Sequence, residues 1–231
     1  MNDNIVNIEK VIEYIENNLS NKLDLEKISE AVHYSKYHLH RLFSETVGMT
    51  IHDYVVRRQL TEAAKLLVFS DKPIIEIAFI CGYESQQAFS SAFKSMYKIP
   101  PAQYRENREF YPLQLRFTLH RNIVNKKFKK DDICFAEKSD IPIWMDLMRL
   151  VIDGYPVMNE EDYLNEITRH IEEKHALVLK DGGILVGAMA FSDNPSCIDF
   201  WGIHPQYRKQ DIQKQFLDVL LETYLPGKEI S

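Results

Sequence analysis

The chain has 231 residues, 45% of them hydrophobic and 27% charged, with a formal net charge of −6. These proportions suit a globular chain with room for two modest cores and exclude a disordered one. No run approaches the roughly 18 uninterrupted apolar residues of a membrane-spanning helix, and the opening MNDNIVNIEK lacks the order of a secretory leader, so the expected compartment is the cytoplasm.

The first half reads as a succession of short helices. Ile5, Ile8, Val11, Ile12, Ile15 and Leu19 recur at intervals of three and four, the stripe of one buried helix. Asp24 is placed to cap a second helix that turns Leu25, Ile28, Ala31 and Val32 inward. Ser35 is placed to cap a third, burying Leu39, Leu42 and Phe43 and stopping at Gly48. Thr50 and Asp53 have the spacing of a capping box and open a long helix, residues 51–69, with Tyr54, Leu60, Ala63, Ala64 and Leu67 inward. The order then repeats. Pro73 starts a helix bearing Ile74, Ile77 and Ala78, and Gly82 ends it. Ser85 caps the next, with Phe89, Phe93 and Tyr97 inward, and Pro100 and Pro101 lead into a last short helix through Tyr104.

After residue 110 the texture changes. YPLQLRFTLH alternates as a strand does, and NKKFKKDD reads as a connector. ICFAEKSDIP predicts a strand and a turn, with Asp140 capping a helix over 142–153; a second helix covers 160–174. HALVLK and GILVGAMAF flank Asp181, Gly182 and Gly183 as the arms of a hairpin, CIDFWGIH predicts another strand, and 210–224 a helix. The expected organisation is an all-α domain over 1–110 with two helix-turn-helix units, a connector over 111–130, and an α/β domain over 131–231.

Charge follows the same division. Residues 1–130 carry 19 basic and 15 acidic side chains, residues 131–231 9 and 19, so a basic first half joins an acidic second half. The cysteines Cys81, Cys134 and Cys197 are too far apart for a disulfide framework or a metal site and are expected as small apolar core residues. His33, His38 and His40 lack the accompanying carboxylate or thiol spacing of a metal site, and none is expected.

A helix-turn-helix reader needs an apolar support helix, a tight turn, and a second helix with hydrogen-bonding side chains outward. Residues 25–46 meet this with a turn at His33-Tyr34, leaving Lys36, Tyr37, His40, Arg41 and Ser44 outward. Residues 74–97 meet it again with a turn at Gly82-Tyr83-Glu84, leaving Gln86, Gln87, Ser90, Ser91 and Lys94 outward. Arginine bridges guanine O6 and N7 and glutamine bridges adenine N6 and N7, so these are base-reading residue types. Ser35 and Ser85 bring hydroxyls and helix N-termini to where phosphate oxygens lie. The helix between the two units would be about 28 Å long, against about 34 Å between neighbouring major-groove segments on one face of DNA.

SKYHLHRLFSETVG, RRQLTEAAKLL and IIEIAFICGYESQQAFSSAFKSMYKIPPAQYR resemble the DNA-binding domain of the AraC/XylS family of bacterial regulators, in particular its multidrug- and superoxide-response activators. The resemblance implies binding to double-stranded promoter DNA, recruitment of RNA polymerase and activation. By position it assigns base contacts to Tyr37, His40, Arg41, Gln86, Gln87, Ser90 and Ser91, and backbone contacts to Ser35, Lys36, Ser85 and Lys94. That subgroup usually carries Trp, Gln and Arg where this chain has Tyr37, His40 and Ser91, which implies a different target sequence.

In the second half, ICFAEKSDIP, GILVGAMAF and DFWGIHPQYRKQDIQKQFLDVLLE resemble the GCN5-related N-acetyltransferase fold. There the acetyl-CoA loop, Arg/Gln-x-x-Gly-x-Gly/Ala, cradles pyrophosphate on backbone N–H groups. Here it reads Arg208-Lys209-Gln210-Asp211-Ile212-Gln213, with both small residues replaced. The expectation is a sensing or interaction domain that binds no cofactor. The sequence ends at PGKEIS, where a fifth strand of that fold would begin, so the expectation is either a fragment of a longer product or an incomplete domain, whose open sheet edge would favour oligomerisation. The other reading is an acetyltransferase, using acetyl-CoA, with its own DNA-binding module.

Overall fold

A computed structural model describes residues 2–120, 127–152, 159–193, 196–208 and 211–224. They divide into two units, residues 1–122 and 123–231.

The first unit contains α1 (Asn2–Asn17), α2 (Leu25–Ala31), α3 (Lys36–Val47), α4 (Ile51–Phe69), α5 (Ile74–Ile80), α6 (Gln86–Tyr97) and α7 (Pro101–Asn107). Local chemistry sets where these helices begin. Side chains of Asp24, Ser35, Thr50 and Ser85 accept the backbone N–H of Lys27, His38, Asp53 and Ala88, supplying acceptors that the first turn of a helix lacks. Gly48 ends α3 in the left-handed conformation at φ 83°. One cap differs from expectation: Thr50 Oγ1 donates to the Asp53 carboxylate at 2.7 Å, a side-chain bond in place of the reciprocal backbone bond of a capping box. The predicted apolar stripes are buried, including Tyr54, Leu60, Ala63, Ala64 and Leu67 of α4. Phe89, Phe93, Tyr97 and Tyr104 form a chain of ring contacts joining α6 to α7.

Residues 111–120 are not a strand. They run extended along α4, burying Leu113, Phe117 and Leu119. The Gln114 N–H donates to Thr61 Oγ1 and the Phe117 N–H to the Tyr54 hydroxyl, both at 3.1 Å. Helix side chains thus take the place of a neighbouring strand, and the start of the expected connector belongs to the first unit.

The second unit holds β1 (Ile133–Phe135), α8 (Ile141–Val151), α9 (Glu160–Glu172), β2 (Ala176–Asp181), β3 (Ile184–Asp193), β4 (Ser196–Ile203) and α10 (Ile212–Val219). Its sheet has the order β1-β2-β3-β4 and every pairing is antiparallel, so the strands follow one another as neighbours, without the parallel crossovers of an α/β sheet. One face, with Val178, Leu185, Ala188 and Phe200, packs against Trp144 and Met148 of α8 and Ile167 and Ile171 of α9. The other, with Leu177, Leu179, Val186 and Ile203, packs against Ile212 and Phe216 of α10. Gly187 admits this approach: a Cβ there would lie 2.8 Å from Phe216 Cε2.

Two further expectations are corrected. Asp140 is buried but makes no side-chain cap bond to α8; its carboxylate accepts instead the Glu137 N–H at 3.0 Å, closing a capping box on the 3-10 turn Lys138–Asp140, and Lys180 Nζ at 2.9 Å. Burial without a partner would be costly for that charge, and Lys180 supplies the partner from β2. Only Cys81 is a core cysteine; Cys134 is exposed and Cys197 half-buried, because each lies on an edge strand of the sheet.

Candidate nucleic-acid interface

The two helix-turn-helix units share one turn geometry. In the first, His33 is left-handed at φ 58° and the Tyr34 N–H donates to Ser29 O at 2.9 Å. In the second, Gly82 is left-handed at φ 79° and the Tyr83 N–H donates to Ala78 O at 2.9 Å. Each turn leads into a serine-capped twelve-residue helix, α3 or α6.

On α3, Lys36, Tyr37, His40 and Arg41 are exposed; Tyr37, at 80%, holds an aromatic ring in water, which suits a stacking or thymine-methyl contact. Ser44 does not join them: it is half-buried, and its hydroxyl has no hydrogen-bond partner among the described residues. On α6, Gln86, Gln87, Ser91 and Lys94 are exposed and Ser90 is half-buried. Ser35 and Ser85 are exposed at the helix starts, and each hydroxyl keeps a proton to donate while its oxygen accepts the cap bond. Lys36 pairs with Glu26 of α2, which raises its pKa and holds its charge near the start of α3. Tyr34 and His38 stack at 5.5 Å. No cluster of three metal-binding side chains occurs among the described residues.

The loop expected to resemble an acetyl-CoA cradle is placed in part. Arg208 is exposed after a short 3-10 turn, Pro205–Tyr207. Lys209 and Gln210 lie outside the described residues. Asp211 is left-handed at φ 52°, where the family pattern has glycine, and α10 therefore begins only at Ile212, two residues later than expected. The Ile212 side chain is buried in the core and Gln213 is exposed.

The family described as a helix-turn-helix domain matches residues 28–107. The multiple antibiotic resistance protein MarA of Escherichia coli K12 is 38% identical over 118 residues, covering 48% of this chain and 93% of MarA. This chain belongs to the AraC/MarA family of helix-turn-helix transcription regulators. The transcriptional activator AarP of Providencia stuartii is 40% identical over 98 residues, covering 42% of this chain and 73% of AarP. The C-terminal domain of the response regulator AraT from Geobacillus stearothermophilus aligns with a TM-score of 0.44 at 29% identity, over 48% of this chain and 93% of that one.

Every residue to which the resemblance assigns a DNA contact lies within the matched stretch of this AraC/MarA-family regulator. What sequence reasoning missed is the machinery behind them. Arg58 and Gln59 of α4 are both buried. A signal existed for Arg58, four residues beyond the inward Tyr54 on the same helix face, where a charge requires a buried partner. That partner is Glu16, 42 residues earlier.

Proposed function

We propose that this chain binds promoter DNA sequence-specifically, with α3 and α6 in successive major grooves of one duplex, and activates transcription by recruiting RNA polymerase. The observation that carries the reading is the repetition itself. Two bihelical units with the same turn bonding each present an exposed polar helix, and one 19-residue helix, α4, joins them. A helix of that length spans about 28 Å, slightly less than the repeat of the groove, so the duplex is expected to bend toward the protein. Selection of bound duplexes from a random pool by the full chain tests this. The expected product is a bipartite site with half-sites about 10–10.5 base pairs apart, centre to centre; a single short motif would overturn it.

In the same reading residues 131–231 form a GCN5-related domain that receives a small-molecule effector or a partner protein and transfers no acyl group. Asp211 would bring a carboxylate to the backbone that should cradle pyrophosphate. Two unit charges 4 Å apart repel by about 4 kcal/mol at an effective dielectric of 20. Titration of the full chain with acetyl-CoA is expected to give no binding at micromolar concentrations. Micromolar affinity would favour instead an acetyltransferase that carries its own DNA-binding module.

A further inference from the structure

The loop between α1 and α2 leads directly into the first helix-turn-helix unit, yet it rests against the turn of the second. Gln59 of α4, 7% exposed, donates Nε2 to Leu19 O at 3.0 Å and to Asn21 O at 3.1 Å. Gly82 sits so close that a Cβ there would lie 2.8 Å from Asn21 O and 2.9 Å from Gln59 Nε2. Two residues on, Glu84 accepts from Lys22 Nζ at 2.7 Å. The loop is also tied back to the first unit, because Lys27 of α2 donates to Lys22 O at 2.9 Å.

Joined by α4 alone, the two units would owe their relative placement to the torsions of the short segments at its ends. The loop adds a second connection, from α2 to the second turn, and so closes a ring of contacts through α4. Gln59 is the buried member of that ring. Its amide N–H₂ has two donors, one for each of the two carbonyls. A rigid frame puts any mismatch in half-site spacing onto the DNA, whose deformation costs free energy; a loose frame absorbs the mismatch itself.

We propose that Gln59 is a positioning residue that sets the separation of the two reading helices and hence the half-site spacing the regulator accepts. The inference rests on the reading that α3 and α6 engage one duplex together. The test uses the full chain, the duplex it selects from a random pool, and two derivatives with one base pair inserted or removed between half-sites. Gln59→Leu keeps the side-chain volume and removes the donors; Lys22→Glu alters only an exposed side chain and sets like charge beside Glu84.

The wild type is expected to bind the altered duplexes about tenfold or more weakly than the selected one. In Gln59→Leu that ratio is expected to fall to about threefold, and Lys22→Glu should shift it in the same direction. A variant that merely loosened the fold would weaken all three duplexes alike and leave the ratio in place. An unchanged ratio in Gln59→Leu overturns the proposal, as does an unchanged ratio in Lys22→Glu should the first variant not fold. A wild type indifferent to the extra base pair would overturn the two-groove reading instead.

Discussion

Arg58 of α4 holds Glu16 of α1 by two parallel hydrogen bonds, Nε to Oε1 at 2.8 Å and Nη2 to Oε2 at 2.7 Å. Both side chains are nearly buried, and burial alone would lower the arginine pKa; the bonds and charges of Glu16 and Glu62 outweigh it and raise the pKa. Tyr54 donates to the same Glu16 Oε1 at 2.8 Å, and Arg58 Nη1 donates to Gln114 O at 3.1 Å. One ion pair thus joins the first helix, the central helix and the extended segment after α7.

Removing one partner of such a pair leaves an uncompensated charge in the interior. Arg58→Ala is expected to destabilise the first unit by about 3–5 kcal/mol, read from the denaturant midpoint at unchanged slope. A loss below about 1 kcal/mol would place the pair with exposed ion pairs, whose contribution is that small.

The two turns differ at one comparable position, His33 against Gly82, both left-handed. A side chain costs roughly 1–2 kcal/mol in that conformation and glycine does not. His33→Gly should therefore raise the thermal midpoint. Gly82→Ala should lower it by more than backbone conformation accounts for, since its Cβ would also press on Asn21 O at 2.8 Å. Equal and small effects of both changes would contradict this account of the turns.

Base reading and phosphate attraction separate by mutation. Arg41→Ala and Gln87→Ala are each expected to weaken binding to the selected site by about 1–3 kcal/mol while sparing a scrambled duplex. Lys94→Ala should weaken both duplexes similarly and reduce the logarithmic salt slope by about one. Gel shifts at several salt concentrations distinguish the two patterns, and equal losses on both duplexes for Arg41→Ala would count against base reading.

Thiol reactivity reports on burial. Desolvation pushes the Cys81 thiol up to about 12, and Asp199, accepting from Cys197 Sγ, raises that thiol too. The thiolate is the reactive form, so near neutral pH a maleimide should label the exposed Cys134 first, Cys197 more slowly, and Cys81 only as the first unit unfolds. Labelling of Cys81 as fast as Cys134 in the folded chain would show that the site opens without unfolding.

The limits and exposed faces of α3 and α6 are legible in the sequence itself. Caps at Asp24, Ser35, Thr50 and Ser85 and the stop at Gly48 act between residues three or four apart. Apolar periodicity then settles which side of each helix faces inward, so the exposed rows of α3 and α6 follow by subtraction. Ser44 escaped that subtraction because it lies at the margin of the buried stripe.

Windows of a few residues carried the helices, the hairpin between β2 and β3, and the outward set of reading side chains, because those features depend on neighbours along the chain. Contacts between distant segments were invisible to them. The alternation of residues 111–120 is equally compatible with a strand or with a cover for α4, and only the hydroxyls of Thr61 and Tyr54, 53 and 63 residues away, select the latter. The same holds for Arg58 with Glu16 and for Gln59 with the loop at Leu19 and Asn21. Such pairings are chosen by which polar groups burial leaves without water, a condition that exists only once the chain has packed.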